Sequence, residues 1–384
     1  MRIAQRRRTL LVIVNLIAAF LTPQEDSNAV EFAIVGPRAM GMGGAGVATT
    51  TDALATYWNP AGLAMSPTID LRVQASGQGI DRLGVLDTVK QINDTNVNDT
   101  SAANQAKVQN LVNRLNQPGA SLSGIGTGGL YFKGYWGSSA FGFNISDVAT
   151  SGAVVSQPIG VSNAGGRLNV TGQFALRGLE ARQAAFSYAY AFADRTFAIG
   201  ATAKIIQGAA YTGQINVLGA DDIDNIRDSF GKAKLSTAIG IDVGAVFRPA
   251  PWLRLGVVGK DINQPTFDAP DGEQFKLGPQ VRGGIAINPD ASLTLTFDGD
   301  ITVNRTLVPG LKSRVFSVGA EQTILSDFLV LRIGAWKDVE DAKTIVTPTA
   351  GFGIRIFALR VDIGGGYDFR ERHALVSGSV SMAF

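Results

Sequence analysis

The sequence predicts an all-β protein: a transmembrane antiparallel outer-membrane β-barrel of about 14 strands, with an N-terminal plug and short helices in surface loops. Three observations support this fold class. The chain begins with a secretory signal pattern, its body alternates apolar and polar residues, and short links between the alternating segments alternate with long ones. A water-soluble sheet also alternates, so the pattern of links decides in favour of the membrane barrel.

The N-terminus has the three parts of a secretory signal. Met1 to Arg8 is basic, Thr9 to Leu21 is apolar, and Ser27-Asn28-Ala29 places small residues where a signal peptidase cuts. The apolar run is shorter than the roughly 20 residues of a membrane-spanning helix. The pattern therefore predicts a signal peptide over residues 1–29 and a mature chain that begins at Val30.

Composition argues against several classes of function. Without the signal the chain has 30 basic and 30 acidic residues, so its charge does not favour nucleic acid as a partner. Cysteine is absent, and the single histidine, His373, cannot form a histidine-rich metal site. We expect a structural role for His373. No catalytic constellation stands out, so the sequence predicts no catalytic residue, metal site or cofactor, and the chain is not expected to be an enzyme.

Residues 36–64 form a run rich in small side chains, GPRAMGMGGAGVATTTDALATYWNPAGLA. The spacing Gly41-x-Gly43-x-x-Gly46 fits the dinucleotide-binding fingerprint, which requires a buried strand before it and a βαβ unit after it. Gly36-Pro37 interrupts the approach, and helical periodicity is scarce in the rest of the chain. We therefore favour small residues that allow close packing over a nucleotide site.

The body of the chain alternates with period two, as strands with one apolar and one polar face do. In Ser292 to Val303 (SLTLTFDGDITV), Phe297 and Ile301 share the apolar face, and Asp298 and Asp300 lie on the other. The same alternation appears in TAIGIDVGAVF from Thr237, GIRIFALRVDIGGG from Gly353 and HALVSGSVSMAF from His373.

Links between the alternating segments are of two lengths. Short links fall at residues 136–138, 193–195, 249–251, 288–290 and 325–327, and long ones near residues 80–120, 151–166, 211–232, 263–273, 304–312 and 338–344. Outer-membrane barrels have short periplasmic turns and long surface loops. One link, Arg370-Glu371-Arg372, departs from this pattern because it should be long and is short.

Two of the long links carry helix signals. Val108, Leu111, Val112 and Leu115 have helical spacing, with Ser101 as a candidate N-cap and Pro118-Gly119 as a stop. Asp221 to Phe230 is a shorter candidate. We expect these helices to cover the barrel mouth, with a partner-binding helix as the alternative.

The N-terminal run resembles the signature of the FadL-like outer-membrane barrels, a group that includes the PorV-type proteins. The residues that carry the resemblance are Gly41, Gly43, Gly44, Gly46, Asn59, Pro60 and Ala61. Gly256 to Asp261, Gln280 to Ala286 and Leu293 to Asn304 are similar to the TraF-like family named after plasmid-transfer operons. The terminal Phe384 resembles the signal through which the barrel-assembly machinery recognises its substrates.

With the signal peptide assigned to residues 1–29, the resemblance implies a plug over residues 30–66 that folds back into the lumen and a transmembrane barrel over residues 67–384. Asp52 and Asn59 can cap short helical turns of the plug, and Pro60 suits a first helical position. We expect Tyr57 and Trp58 to wedge against the wall, either lining a ligand path or only anchoring the plug.

Charged residues that alternate with lipid-type residues should point into the lumen. We expect them to pair with one another and with the plug, and secondarily to line a route. They are Asp242, Asp298, Asp300, Arg332, Arg355, Arg360 and Asp362.

Two functions are compatible with the sequence. The FadL-like resemblance implies a plugged channel for uptake or passage of small hydrophobic molecules. The PorV-like and TraF-like resemblances imply a non-conducting component of a conjugation or secretion apparatus. The expected partners are outer-membrane lipid, the barrel-assembly machinery, and either a small hydrophobic ligand or secretion and conjugation proteins. The expected location is the bacterial outer membrane.

We predict that the mature protein begins at Val30 and fractionates with the outer membrane, because the N-terminus directs export and the strands require lipid. N-terminal sequencing of the outer-membrane fraction tests both statements. Recovery of the full-length chain from the soluble cytoplasm would contradict the signal and the barrel together.

Overall fold

A computed structural model describes residues 31–220, 223–341, 346–369 and 372–384. The predicted signal peptide, residues 1–29, and the predicted N-terminus at Val30 lie outside the described residues. The structure is a closed antiparallel barrel of fourteen strands in the order β1-β18-β17-β16-β15-β14-β11-β10-β7-β6-β5-β4-β3-β2. The predicted fold class and strand number are therefore confirmed.

The barrel strands differ greatly in length. Their bounds are β1 Asp70–Arg82, β2 Ser121–Trp136, β3 Ser139–Ala164, β4 Arg167–Phe192, β5 Phe197–Asn216, β6 Lys234–Ala250, β7 Leu253–Lys260, β10 Gln280–Ile287, β11 Leu293–Asp300, β14 Val315–Ile324, β15 Leu329–Asp338, β16 Thr347–Ile356, β17 Leu359–Asp368 and β18 His373–Ala383. Two small hairpins lie in loops, β8 Thr266–Asp268 with β9 Gln274–Lys276, and β12 Asn304–Arg305 with β13 Lys312–Ser313.

The helices are short and lie in the plug and the surface loops. They are α1 Pro37–Gly41, α2 Ala55–Trp58, α3 Val85–Asn93, α4 Ala102–Leu115 and α5 Ile223–Ser229, with 3₁₀ turns at Pro60–Met65 and Val217–Gly219. No helix within the described ranges is long and apolar enough to cross a bilayer. The predicted α4 is confirmed, because its N-cap Ser101 accepts a hydrogen bond from Asn104 N and its apolar residues are buried.

Helix α3 has no local N-cap signal, which explains why the sequence did not predict it. It follows Gly84, which has φ 67° and no side chain that could cap the helix. Instead the Asp81 carboxylate accepts from Val85 N at 2.6 Å. Such a cap from four residues upstream depends on the chain reversal at the end of β1, which is not visible as a local pattern.

Three predicted boundaries are wrong. Residues 151–166 are not a long loop, because β3 and β4 continue to a turn at Gly165-Gly166. The alternating stretch from Gly353 to Gly366 is two strands, and its turn contains Phe357, whose φ of 54° has no glycine, proline or asparagine to signal it. In the stretch Ser292 to Val303, β11 ends at Asp300.

The two faces of the wall have opposite character. Phe297 is 43% exposed on the outer face of β11, whereas Asp298 is 1% exposed on the inner face. Exposed Trp136 and Trp252 lie at short links, as in the aromatic girdles of outer-membrane barrels. Because outer-membrane barrels have short periplasmic turns, the end with the short links is the periplasmic end.

The extracellular mouth is closed by loops that turn inward. Strands β7, β10 and β11 have eight residues each, whereas β3 and β4 have 26, so one side of the barrel is much taller. The hairpin β8–β9 fills the difference with fully buried Phe267 and Phe275, which pack with Leu179 and Ile206 of the tall side. Helices α3 and α4 pack together with the upper parts of β3 and β4 in a separate apolar cluster.

We predict that Phe297→Arg destabilises the barrel by roughly 2 to 4 kcal/mol, because it places a charge in lipid near the midplane. Phe357→Arg, in a short turn at the membrane edge, is the control and should cost at most about 1 kcal/mol. Urea titration of the barrel in bilayers measures both values. Equal tolerance at the two positions would show that Phe297 does not face lipid.

Candidate functional site

Residues 31–66 lie inside the barrel and contribute no strand to its wall. Almost every side chain of the segment is buried, and wall residues of β4, β5, β6, β16 and β17 pack against it. We call these residues the plug. The plug is the candidate functional site because it fills the lumen between the two mouths.

The glycines of the plug allow its backbone to touch the wall. Gly43 has φ 70°, and a Cβ there would overlap the carbonyl of Ala335. Gly43 N donates to Thr349 Oγ1 at 2.9 Å, and that hydroxyl donates to Gly41 O at 3.2 Å. The wall also has a glycine at this contact, since a Cβ at Gly334 would overlap the plug backbone at Met42 and Gly43.

Gly44 and Gly46 allow the plug to pack on itself. Gly44 has φ 87°, and a Cβ there would crowd Ile34 of the plug. A Cβ at Gly46 would overlap the ring of Trp58. The glycine run therefore serves packing on both sides, which is the interpretation favoured over a nucleotide site.

Asn59, Pro60 and Ala61 form the capped turn that the sequence indicates. Asn59 Oδ1 accepts from Ala61 N at 3.2 Å, and Pro60 is the first residue of the 3₁₀ turn. The Asn59 amide also donates to the wall carbonyls of Ala245 at 3.2 Å and Val257 at 3.3 Å. One side chain thus caps the start of the 3₁₀ turn and attaches it to β6 and β7.

Asp298 binds the backbone of the plug. Its Oδ2 accepts from Gly46 N at 2.7 Å and Val47 N at 2.8 Å. These hydrogen bonds go to backbone amides of the plug and not to a charged side chain.

A charge network joins the plug to the periplasmic half of the wall. Arg38 of the plug donates to Glu321 at 2.7 and 2.9 Å, and Arg332 donates to Glu321 and Asp362 at 2.7 Å each. Arg72 lies 3.1 Å from Asp52 of the plug. Burial alone would raise the pKa of Asp52. The nearby charges of Arg72 and Arg38 nevertheless hold this pKa below its ordinary value.

A second set of ion pairs lies nearer the extracellular rim. Lys204 donates to Asp242 at 2.7 Å and to Asp261 at 2.6 Å. Arg282 donates to Asp300 at 2.6 Å. These pairs link strands to one another and to the loop that follows β7 and carries the β8–β9 hairpin, which we call the capping loop, so they hold the upper lumen closed.

An aromatic cluster forms the centre of the plug. The ring of Phe32 lies 6.0 Å from that of Tyr57 and 5.4 Å from that of Trp58. Lys260 Nζ lies 3.2 Å from the Tyr57 ring centroid, and the Arg282 guanidinium lies 4.0 Å from the Phe32 centroid. Two wall cations therefore hold two plug rings by cation–π contacts.

The polar contact of Trp58 lies within the plug. The residue is fully buried, and its indole donates to Val35 O at 2.8 Å within the plug. The Tyr57 hydroxyl donates to Ala33 O at 2.8 Å. Burial raises the pKa of Tyr57, so its hydroxyl remains a donor.

A cavity of about 50 Å³ remains between the plug, the wall and the capping loop. Tyr57 lies on its plug side, and Lys204, Asp242 and Lys260 lie on its wall side. Apolar side chains complete it, namely Val148, Leu179, Ile206 and Leu277. The cavity has room for little more than water, so the lumen is closed in this state.

A groove of about 640 Å³ lies on the opposite face of the same wall. Its floor is formed by the outward-facing residues of β1 to β4, whose side chains are small. Phe230 lies at its edge. Thr150 and Leu179 border both the inner cavity and this groove. A single layer of wall therefore separates them. The small residues of the wall that border the groove are Gly77, Gly124, Gly126, Ala149, Ser151 and Gly178.

Several residues of the site were not predicted from the sequence, and two predicted ion pairs do not form within the described ranges. Glu321, Arg72 and Lys204 were not singled out, although the alternation places each on the inner face of its strand. Arg355 and Arg360 were expected to pair with carboxylates, yet neither has one within ion-pair distance among the described residues. Both flank the short turn between β16 and β17 at the periplasmic end.

A sequence model of the family described as "F plasmid transfer operon, TraF, protein" matches residues 56–300. The match begins in the plug and ends with β11, so it includes more than half of the chain. The chain belongs to this family. A comparison with curated proteins found no match.

Solved structures share the fold of this TraF-family barrel. The toluene transporter TbuX of Ralstonia pickettii is 16% identical with a TM-score of 0.52, covering 91% of this chain and 97% of TbuX. The P. putida toluene transporter TodX is 12% identical with a TM-score of 0.55, covering 93% and 99%. The monoaromatic hydrocarbon channel CymD is 15% identical with a TM-score of 0.53, covering 92% and 98%. Together they confirm the predicted FadL-like barrel fold.

His373 of the TraF-family barrel has surroundings that fit a structural role. Its ring is buried and packs edge-on against Trp336, with 4.6 Å between centroids. Within the described ranges, no group of three or more histidine and acidic side chains is arranged to hold a metal ion.

We predict that Asp298→Ala lowers the stability of the folded barrel by roughly 1 to 3 kcal/mol, because it leaves two buried plug amides without an acceptor. Asp298→Asn is the matched control and should cost much less, since its amide oxygen can accept both bonds. Denaturant titration gives the two values, and protease accessibility of the plug gives a second measure. Similar losses for alanine and asparagine would show that the negative charge matters, not the two hydrogen bonds.

Proposed function

We propose that the protein is a plugged outer-membrane channel for small, apolar molecules. The observation that carries the proposal is that a segment without any wall strand closes the lumen. Hydrogen bonds, ion pairs and cation–π contacts hold this segment, and water or a rearranged partner can replace each of them. Removal of the plug would leave all fourteen strands paired.

The inner cavity and the outer groove, which Thr150 and Leu179 both border, favour an apolar solute. The outer groove has a volume in the range of small-molecule sites and is bordered mainly by glycine, alanine and apolar side chains. The inner cavity has an apolar half formed by Val148, Leu179 and Ile206. TodX, TbuX and CymD, which share the fold, are described as toluene transporters or a monoaromatic hydrocarbon channel.

A second candidate function is a non-conducting component of a conjugation or secretion apparatus. The observation that favours it is the match to a family described by a plasmid-transfer operon. The two candidates differ in whether movement of the plug changes permeability.

Deletion of residues 36–64 should yield a barrel that inserts and admits arabinose freely in liposome swelling, whereas the wild type remains closed. The reason is that the wall strands stay paired while the lumen empties. Heat-modified migration on gels verifies insertion of both proteins. A correctly inserted deletion variant that is as closed as the wild type would show that the segment does not plug the barrel.

Tyr57→Ala should raise uptake of the apolar fluorophore N-phenylnaphthylamine severalfold in cells without admitting arabinose. The substitution removes the ring that bounds the inner cavity and contacts Lys260. Tyr57→Phe keeps the ring and should behave as the wild type. Unchanged uptake by Tyr57→Ala would favour the non-conducting apparatus component.

A further inference from the structure

Five arginines lie at the periplasmic end of the barrel without a carboxylate partner within ion-pair distance in the described part of the chain. Arg195 follows β4, Arg248 and Arg254 lie near the periplasmic ends of β6 and β7, and Arg355 and Arg360 flank the turn between β16 and β17. In contrast, the arginines deeper in the lumen, Arg72, Arg282 and Arg332, all have carboxylate partners. Of these eight arginines, only the five at the mouth therefore lack a carboxylate of the described residues within ion-pair distance.

Two of these arginines oppose each other directly. Arg355 and Arg360 are cross-strand neighbours in the register of β16 and β17. Like charges in this position destabilise a sheet. Arginines that served only to stabilise the hairpin would not be placed opposite one another.

The other three form hydrogen bonds only to backbone carbonyls. Arg195 donates to Ala64 O at 3.2 Å, and Arg248 donates to Asp194 O at 3.3 Å. Arg254 donates to Ala48 O at 3.2 Å, while its buried Nε has no hydrogen-bond partner in the described structure. These contacts orient the guanidinium groups and leave their charges uncompensated.

The plug joins the two groups into one surface. Arg38 donates to Thr49 O at 3.0 Å, one residue along the plug from the carbonyl that Arg254 binds. Arg38 also donates to Glu321 of β14, and β14 lies between β16 and β7 in the strand order of the wall. Arg38 therefore lies between the two groups, and we call all six arginines the basic mouth.

We propose that the basic mouth binds an acidic segment of a periplasmic protein, rich in aspartate or glutamate. Guanidinium groups bind carboxylates in bidentate geometry, and several at one opening favour a chain that carries several carboxylates. The five outer arginines are half-buried on the lumen side and not on the lipid-facing surface. An extended peptide can enter such a recess, whereas a layer of lipid headgroups cannot follow it.

The test uses the full mature protein in phosphatidylcholine nanodiscs and a fluorescent deca-glutamate peptide, with deca-glutamine as the uncharged probe. Anisotropy should show binding of deca-glutamate that weakens as salt shortens the screening length to about 10 Å at 0.1 M. Arg355→Gln/Arg360→Gln and, separately, Arg254→Gln should weaken binding by about tenfold or more. Arg182→Gln, an exposed arginine on the outer face, is the matched control and should leave binding unchanged.

Stability separates a binding role from a structural one. Arg355→Gln/Arg360→Gln should be as heat-stable as the wild type or more so, because it removes a like-charge pair. A marked loss of heat stability would overturn the proposal, and so would equal binding by this variant and the wild type. Displacement of the peptide by inorganic phosphate at matched ionic strength, or by phosphatidylglycerol vesicles, would identify the ligand as a small anion or a lipid and would also overturn it.

Discussion

Burial of charge inside a closed barrel is the constraint on which the rest of the structure depends. The wall brings Glu321, Arg332 and Asp362 into a lumen that the plug fills, where an unpaired ion is very costly. The wall pairs most of these ions across strands, and the plug completes the set with Arg38 and Asp52. The position of the plug is thus determined by charges that the barrel cannot satisfy alone.

Close packing of the plug against the wall is the second requirement of this arrangement. Ion pairs of this length form only if the plug backbone lies directly against the wall, and the glycine contacts at Gly43 and Gly334 permit this. The plug has an aromatic centre, yet Lys260 and Arg282 of the wall cover it. The segment is therefore attached at many points by individually modest contacts, which is the arrangement expected of an element that must be ordered and still able to move.

The sequence predicted those features that depend on local pattern. Alternation and link length gave the barrel and its strand number, and Ser101 with Pro118-Gly119 gave α4. Partners across the lumen could not be predicted, because they depend on register and on strand height. Arg355 and Arg332 have the same alternation, yet only Arg332 lies beside Glu321 in the neighbouring strand. The bond of Trp58 to Val35 could not be predicted for a related reason, since nothing local shows that the plug folds onto its own rings.

The charges at the mouth connect the two functions considered for this barrel. Arg38 anchors the plug through Glu321 and also binds the carbonyl of Thr49, next to the Ala48 carbonyl that Arg254 binds. A carboxylate bound at the mouth would compete with Glu321 for Arg38, so its binding and the retention of the plug are coupled. Such coupling is reciprocal: if an acidic segment loosens the plug, then an opened plug binds that segment more tightly. A partner-binding barrel and a gated channel are therefore compatible in one molecule.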